Sequence, residues 1–228
     1  MISLIHILKE GKYDSIVNEL SKRIFKTIHK SYGYYIKNKK DIFKSFLYPI
    51  INNEKIKVIF NITRNIELRN EYFINGETVP YRNSSLIIIN LELNPNYEPK
   101  VYTSVSHEIA NVLRHEIEHV TQNQENAETK DHGINISKSI LKQLHRQFYD
   151  KIDEEYYDYF LQSDEIPAFV SGFYLKAKRL KVPIDILMGD FLDMFIVDNR
   201  IDIKQKENIL IHWTKYIVKH YKSAIFSQ

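Results

Sequence analysis

The chain has 228 residues, 43% of them hydrophobic and 13% aromatic, with a formal net charge of +3. That balance describes a folded domain with a substantial core and excludes a disordered chain. So mild a charge argues against a nucleic-acid surface; zero cysteines exclude disulfides and thiolate metal sites, and no apolar run approaches the roughly 20 residues that span a bilayer.

Met1–Lys9 is too short and too interrupted for a signal peptide, so use in the cytoplasm without secretion by the general pathway is expected. The segment itself reads as a first helix or a docking tail. Residues 12–31 form an amphipathic helix with Ile16, Leu20, Ile24, Phe25 and Ile28 on one face, and Gly33 is expected to end it. Lys37, Lys39 and Lys40, broken only by Asn38, read as a solvated turn between helices.

Strand signals occupy residues 55–95. They comprise Ile56–Ile62, a second run ending near Phe73, an Asn75-Gly76 turn, and the β-branched run Ser85–Leu93 that stops at Asn94-Pro95-Asn96. From residue 101 onward the pattern is helical. Val105, Ile109, Val112, Leu113, Ile117 and Val120 recur at three- and four-residue steps over 104–123, with Thr103 or Ser104 as N-cap. Further helices are expected at 136–149, 165–181, 184–196 and 204–222; in the last, Ile209, Leu210, Trp213, Ile217 and Tyr221 are expected to pack in a core. No linker or repeat divides the chain. The expectation is one α+β domain over 1–228: a helical part at 1–50, a small, mostly antiparallel sheet at 55–95, and a mainly helical part at 101–228.

The densest chemistry lies in the helix at 104–123, at His115-Glu116-Ile117-Glu118-His119. Histidines four apart on a helix point the same way, so both imidazoles can reach one metal ion. A neighbouring carboxylate could then take a proton from water on that ion. On the helical wheel Glu118, His115, His119 and Glu116 fan out in that order over one side, and geometry does not prefer Glu116 to Glu118 as the base. A solvated face of alternating His and Glu would show the same letters; the long amphipathic helix around them favours the metal.

His115-Glu116-x-x-His119 resembles the motif of the zincin metallopeptidases, in which the glutamate at the Glu116 position activates the water. The resemblance implies a zincin-like α+β fold, a Zn2+ cofactor, a peptide or protein substrate, and hydrolysis of peptide bonds. The same donors would accept cobalt or nickel. It also makes Ser85–Leu93 look like the zincin strand that pairs with extended substrate, although the segment reads equally as a core strand. Gln122 and Glu125 depart from the metzincin pattern, and the absence of cysteine departs from peptide deformylases.

Glu165-Ile166-Pro167-Ala168 is similar to the Glu-x-x-Ala element of the gluzincins, which implies Glu165 as third ligand and a close helix contact at Ala168. An acid in the first helical turn after a Ser163 cap is also favoured by the helix dipole alone. Glu154, Glu155, His132 and His145 are the other candidates. Where thermolysin-like members place an aspartate to orient the first histidine, this chain has Phe169; Asp190, Asp193 and Asp198 are candidates to replace it. The family's oxyanion-stabilising group could be Tyr156, Tyr157, Tyr159, Tyr174 or His145.

Ile7–Asp14 and the segment around Glu165–Lys178 also look like pieces of predicted metallopeptidases of large tailed phages. That favours a virion or a phage-infected host cytoplasm, with a virion or phage protein among the partners. The alternatives to a peptidase are a catalytically inactive zincin-like structural or interaction protein, a regulatory peptidase with one narrow partner and, more distantly, a nucleic-acid binder.

Overall fold

A computed structural model of the chain describes residues 13–38, 42–51, 54–68, 71–81, 84–94, 102–126 and 156–227. The elements in order are α1 (Asp14–Asn38), β1 (Ile42–Ile51), β2 (Glu54–Arg64), β3 (Tyr72–Tyr81), β4 (Ser84–Leu93), α2 (Tyr102–Asn126), α3 (Tyr156–Leu161), α4 (Glu165–Leu180), α5 (Ile184–Val197) and α6 (Ile203–His220). The protein is α+β, as expected, and mostly helical. Among the described residues no helix is long and apolar enough to cross a membrane. The helix expected at 136–149 and the segment 1–9 lie outside the described residues, as do Glu154, Glu155, His132 and His145.

The near-continuous apolar runs at 56–62 and 86–93 become the two inner strands, because only an inner strand buries both of its faces. The sheet has four strands in the order β1-β2-β4-β3. Two of its three pairings are antiparallel; β2 and β4 pair in parallel, with Ile59 opposite Ile88 and Phe60 opposite Ile89. Strand period two then sorts the side chains. Ile56, Val58, Phe60 and Ile62 join Ile87, Ile89 and Leu91 in the main core with the apolar faces of α1 and α2, while Ile59, Leu86 and Ile88 occupy the opposite face beside Val79.

Three local expectations change. Helix α1 runs through Gly33 to Asn38; one helical glycine costs about 1 kcal/mol, less than its buried Val17, Leu20 and Ile24 contribute. The sheet's first strand starts at Ile42, inside the part expected to be helical; of the lysine cluster, Lys37 lies in the last turn of α1, and Lys39 and Lys40 lie outside the described residues. Pro49 obscured that strand, and it is tolerated there because β1 is an edge and its register with β2 shifts between Tyr48 and Ile51. Asn75-Gly76 is no turn: it lies inside β3, opposite Asn90 and Ile89. Of the two readings of Ser85–Leu93, the core strand holds: it is an inner strand, paired on both sides, so it has no free edge for a peptide.

Helices α2 and α4 pack antiparallel, and their contacts form a ladder. Gln122 Nε2 donates to the Asp164 carbonyl at 2.9 Å at one end, and the Lys176 ammonium pairs with Glu108 at the other. Between them Gly172 lies on Asn111, where an added Cβ would come within 2.9 Å of the Asn111 carbonyl oxygen. Ala168 and Gly172, one and two turns after Glu165, share its helix face. Small side chains there let α4 approach closely enough for Glu165 to reach the α2 histidines. Asp164, not Ser163, is the N-cap, and its side chain makes no capping bond.

Beyond α4 the chain builds a second core, largely aromatic. Phe160, Phe173, Met188, Ile209, Trp213, Ile217 and Tyr221 are buried in it, with Leu210 partly so. Trp213 donates from Nε1 to the Phe160 carbonyl at 3.0 Å, so its one polar atom is satisfied. Phe169 stacks on Trp213 with centroids 5.2 Å apart. Its ring also reaches His115 on α2, and that histidine lies where the two cores meet.

Candidate metal centre

The expected pairing of His115 and His119 is realised: their Nε2 atoms are 3.1 Å apart. Glu165 arrives from the first turn of α4 with Oε2 3.4 Å from each Nε2. These three form the metal-capable cluster of the described residues. Glu165 Oε2 is buried and has no well-formed hydrogen bond. A buried carboxylate oxygen held between two ring nitrogens by long contacts alone is suited to a shared cation. For a tetrahedral ion with ligands at about 2.0–2.1 Å, donor atoms lie roughly 3.3 Å apart, and the observed separations of 3.1, 3.4 and 3.4 Å match. One His-x-x-x-His helix plus a glutamate from a second helix therefore fits a divalent ion with an open position.

The wheel left Glu116 and Glu118 equivalent, and packing separates them. Glu118 accepts from Arg114 Nη1 at 2.7 Å, and Arg114 is itself buried with its guanidinium over the Tyr13 ring. Withdrawing Glu118 would leave a buried cation unpaired, so it is committed to structure. Glu116 instead turns toward β3, where Thr78 Oγ1 donates to its Oε2 at 2.7 Å. Burial pushes the Glu116 carboxyl above its ordinary range, against the opposing pull of His115, His119 and the Thr78 hydroxyl.

The second layer differs from the sequence expectations. Asp190, Asp193 and Asp198 are all exposed, and Asp193 pairs with Lys206 at 2.5 Å; none supports His115. The Phe169 ring stands edge-on to His115 instead, with centroids 4.6 Å apart. His119 is oriented by Gln122, whose Oε1 lies 3.0 Å from Nδ1 while its Nε2 ties down the start of α4. Gln122 stands one turn after His119, and that spacing was the only signal for its role.

Packing also sorts the tyrosines. Tyr157 bonds Asn208, Tyr174 bonds Ser223, and Tyr156 lies against Phe195 and under Arg200. Tyr159 alone of these lies close enough to the cluster to feel the charges of Glu165 and Glu116. Burial, then the charges of Glu165 and Glu116, push its pKa up, so it stays a neutral donor.

Without metal, two opposing effects act on each partner of the cluster. Burial disfavours the His119 imidazolium, but Glu165, helped by Glu116 and Gln122, outweighs it and raises His119 to about 9. Burial favours neutral Glu165, but the imidazoles of His115 and His119 outweigh it and lower Glu165 to about 2. The His119 contribution to stability is full below 6.5 and lost as pH rises through about 9; the Glu165 contribution is full above 4.5 and lost as pH falls toward about 2. A metal ligand must be neutral imidazole, so binding at pH 7 displaces a proton from His119. Metal affinity should accordingly rise between about pH 6 and 9, with about one proton released per ion at pH 7. Calorimetry in buffers of different ionisation enthalpy reads that proton, and a pH-independent affinity would contradict the assignment.

Comparison of the chain with protein-family models, with curated proteins and with solved structures finds no match in any of the three. The class of the site is therefore defined by its own residues: a His-Glu-x-x-His helix whose three-donor cluster is completed by a glutamate from a second helix.

Proposed function

We propose that this protein is a zinc-dependent peptidase with a zincin-like fold of gluzincin type, in which His115, His119 and Glu165 hold the ion and Glu116 is the general base. The observation that carries the reading is the convergence of both Nε2 atoms on the buried Glu165 Oε2, with the Glu116 carboxylate near enough to be coupled to all three charges. When bound, zinc polarises a carbonyl and brings the pKa of water to about 7.

The chain's own groups would then act as follows. Glu116 takes the proton of the attacking water as oxygen adds to the carbonyl carbon, and passes it to the leaving amine as the C–N bond breaks. A carboxyl whose pKa is raised by burial suits both transfers near neutral pH. Tyr159 is the assigned donor to the oxyanion. Tyr159→Phe should lower kcat about 100-fold with unchanged metal content; an unaltered kcat would remove the tyrosine from the chemistry.

The substrate strand is assigned to β3. It is the sheet edge on the side of the site, and its outer side carries no strand among the described residues. An extended peptide laid along it would pass the Glu116 carboxylate, with main-chain hydrogen bonds supplying affinity. The setting favoured by the phage resemblance is a virion or an infected cell, with a phage or host protein as substrate.

The test is elemental analysis of protein purified without added metal, followed by incubation with a pool of unstructured peptides read by mass spectrometry. About one zinc per chain and cleavage that is lost to a chelator and restored by zinc are expected. Zinc without turnover would favour the non-enzymatic zincin-like reading; no metal uptake at all would end both.

A further inference from the structure

We propose that Gly76 and Thr78 of β3 are positioning residues that set the Glu116 carboxylate for its work as base, an inference that rests on the peptidase reading above. Residues 76 and 78 share one strand face because the side-chain period is two, and that face meets α2. At residue 76 the strand lies against the glutamate itself. A Cβ added there would sit 2.5 Å from Glu116 Oε1, 2.7 Å from its Cγ and 2.5 Å from Val112 Cγ1. No residue with a side chain allows this approach, which accounts for a glycine inside a strand where its sequence neighbour Asn75 suggests a turn.

The approach brings Thr78 into range. Its hydroxyl proton is offered to Glu116 Oε2 at 2.7 Å and to the Glu116 carbonyl oxygen at 3.0 Å. A glutamate side chain has three rotatable bonds, and an unanchored one would sample several positions across the cleft. Here the bare backbone of Gly76 forms a wall on the Oε1 side, and the Thr78 hydroxyl holds Oε2 from the next position on that face. The hydroxyl reaches side-chain and main-chain oxygens of one residue at once, so the carboxylate is referenced to the helix backbone that also carries His115 and His119. The same strand offers its outer edge to substrate, so base and peptide are aligned by one element.

The test compares Thr78→Val, Thr78→Ser and Gly76→Ala in the zinc-loaded full chain. Each should bind one zinc. Thr78→Val and Gly76→Ala should lower kcat ten- to a hundredfold, about what an ångström of misplacement costs, with KM nearly unchanged; Thr78→Ser, which keeps the hydroxyl, should restore most of the rate. Wild-type kcat in Thr78→Val would overturn the proposal while leaving the peptidase reading intact, whereas an inactive, zinc-loaded wild type would overturn the peptidase reading and this inference with it. A second readout needs no turnover: a urea-denaturation cycle on metal-free protein with Thr78→Val, Glu116→Ala and the double variant. A midpoint shift from Thr78→Val that shrinks when Glu116 is alanine supports the contact, and strictly additive shifts would refute it.

Discussion

Replacing Glu116 by glutamine is expected to leave one zinc bound per chain and to reduce peptide cleavage by about 1,000-fold or more. The two side chains have the same shape, and the amide oxygen can still accept from Thr78 Oγ1, so the β3 contact survives. What disappears is the capacity to take a proton from water and deliver it to the amine. Stability should move the other way from activity. The ionised Glu116 carboxylate is disfavoured by burial, so a neutral replacement removes a desolvation cost at pH 7. The thermal midpoint of Glu116→Gln should therefore equal or exceed that of the wild type. Retained cleavage would remove Glu116 from the mechanism, and loss of cleavage with a collapsed midpoint would show merely that the fold had failed.

Glu165→Ala should cost zinc affinity more than the roughly 10- to 100-fold that outer ligand partners are worth. Two imidazoles 3.1 Å apart would remain, without the oxygen 3.4 Å from each. The change has a second signature that does not depend on metal. Glu165 is what holds His119 up to about 9 against its burial. Removing it should drop the His119 pKa, with burial then pulling it downward, as an NMR titration of the metal-free variant would read. Unchanged metal content together with an unmoved His119 would assign the third ligand elsewhere, with Glu154, Glu155, His132 and His145 the sequence candidates outside the described residues. Unchanged metal content with a shifted His119 would show that Glu165 is a neighbour of the site and not a ligand.

Much of the helical architecture was legible because helix period and caps are local. The α2 pattern at 104–123 matches Tyr102–Asn126, and Ile209, Trp213, Ile217 and Tyr221 are buried where the α6 pattern put them. The sheet was harder to read. Its inner strands bury both faces, so their letters do not alternate, and β1 carries a proline that only its edge position excuses. Asn75-Gly76 carries a turn signal, yet its glycine answers to a helix some forty residues away in sequence.

By itself the sequence determined that His115 and His119 would point together, since four residues on a helix is a local geometric relation. The close helix contact at Ala168 was implied by the resemblance of Glu165–Ala168, and the structure adds Gly172 to it. Only the tertiary structure separated Glu116 from Glu118, because Glu118 pairs with Arg114 while Glu116 bonds Thr78 and is coupled to the charges of the cluster. It likewise chose Tyr159 among the tyrosines, Gln122 as the partner of His119, Phe169 as the neighbour of His115, and β3 rather than β4 as the open strand. Each of those choices depends on which distant segment packs against a given helix face. That is a property of the assembled cores, and no window of the chain contains it.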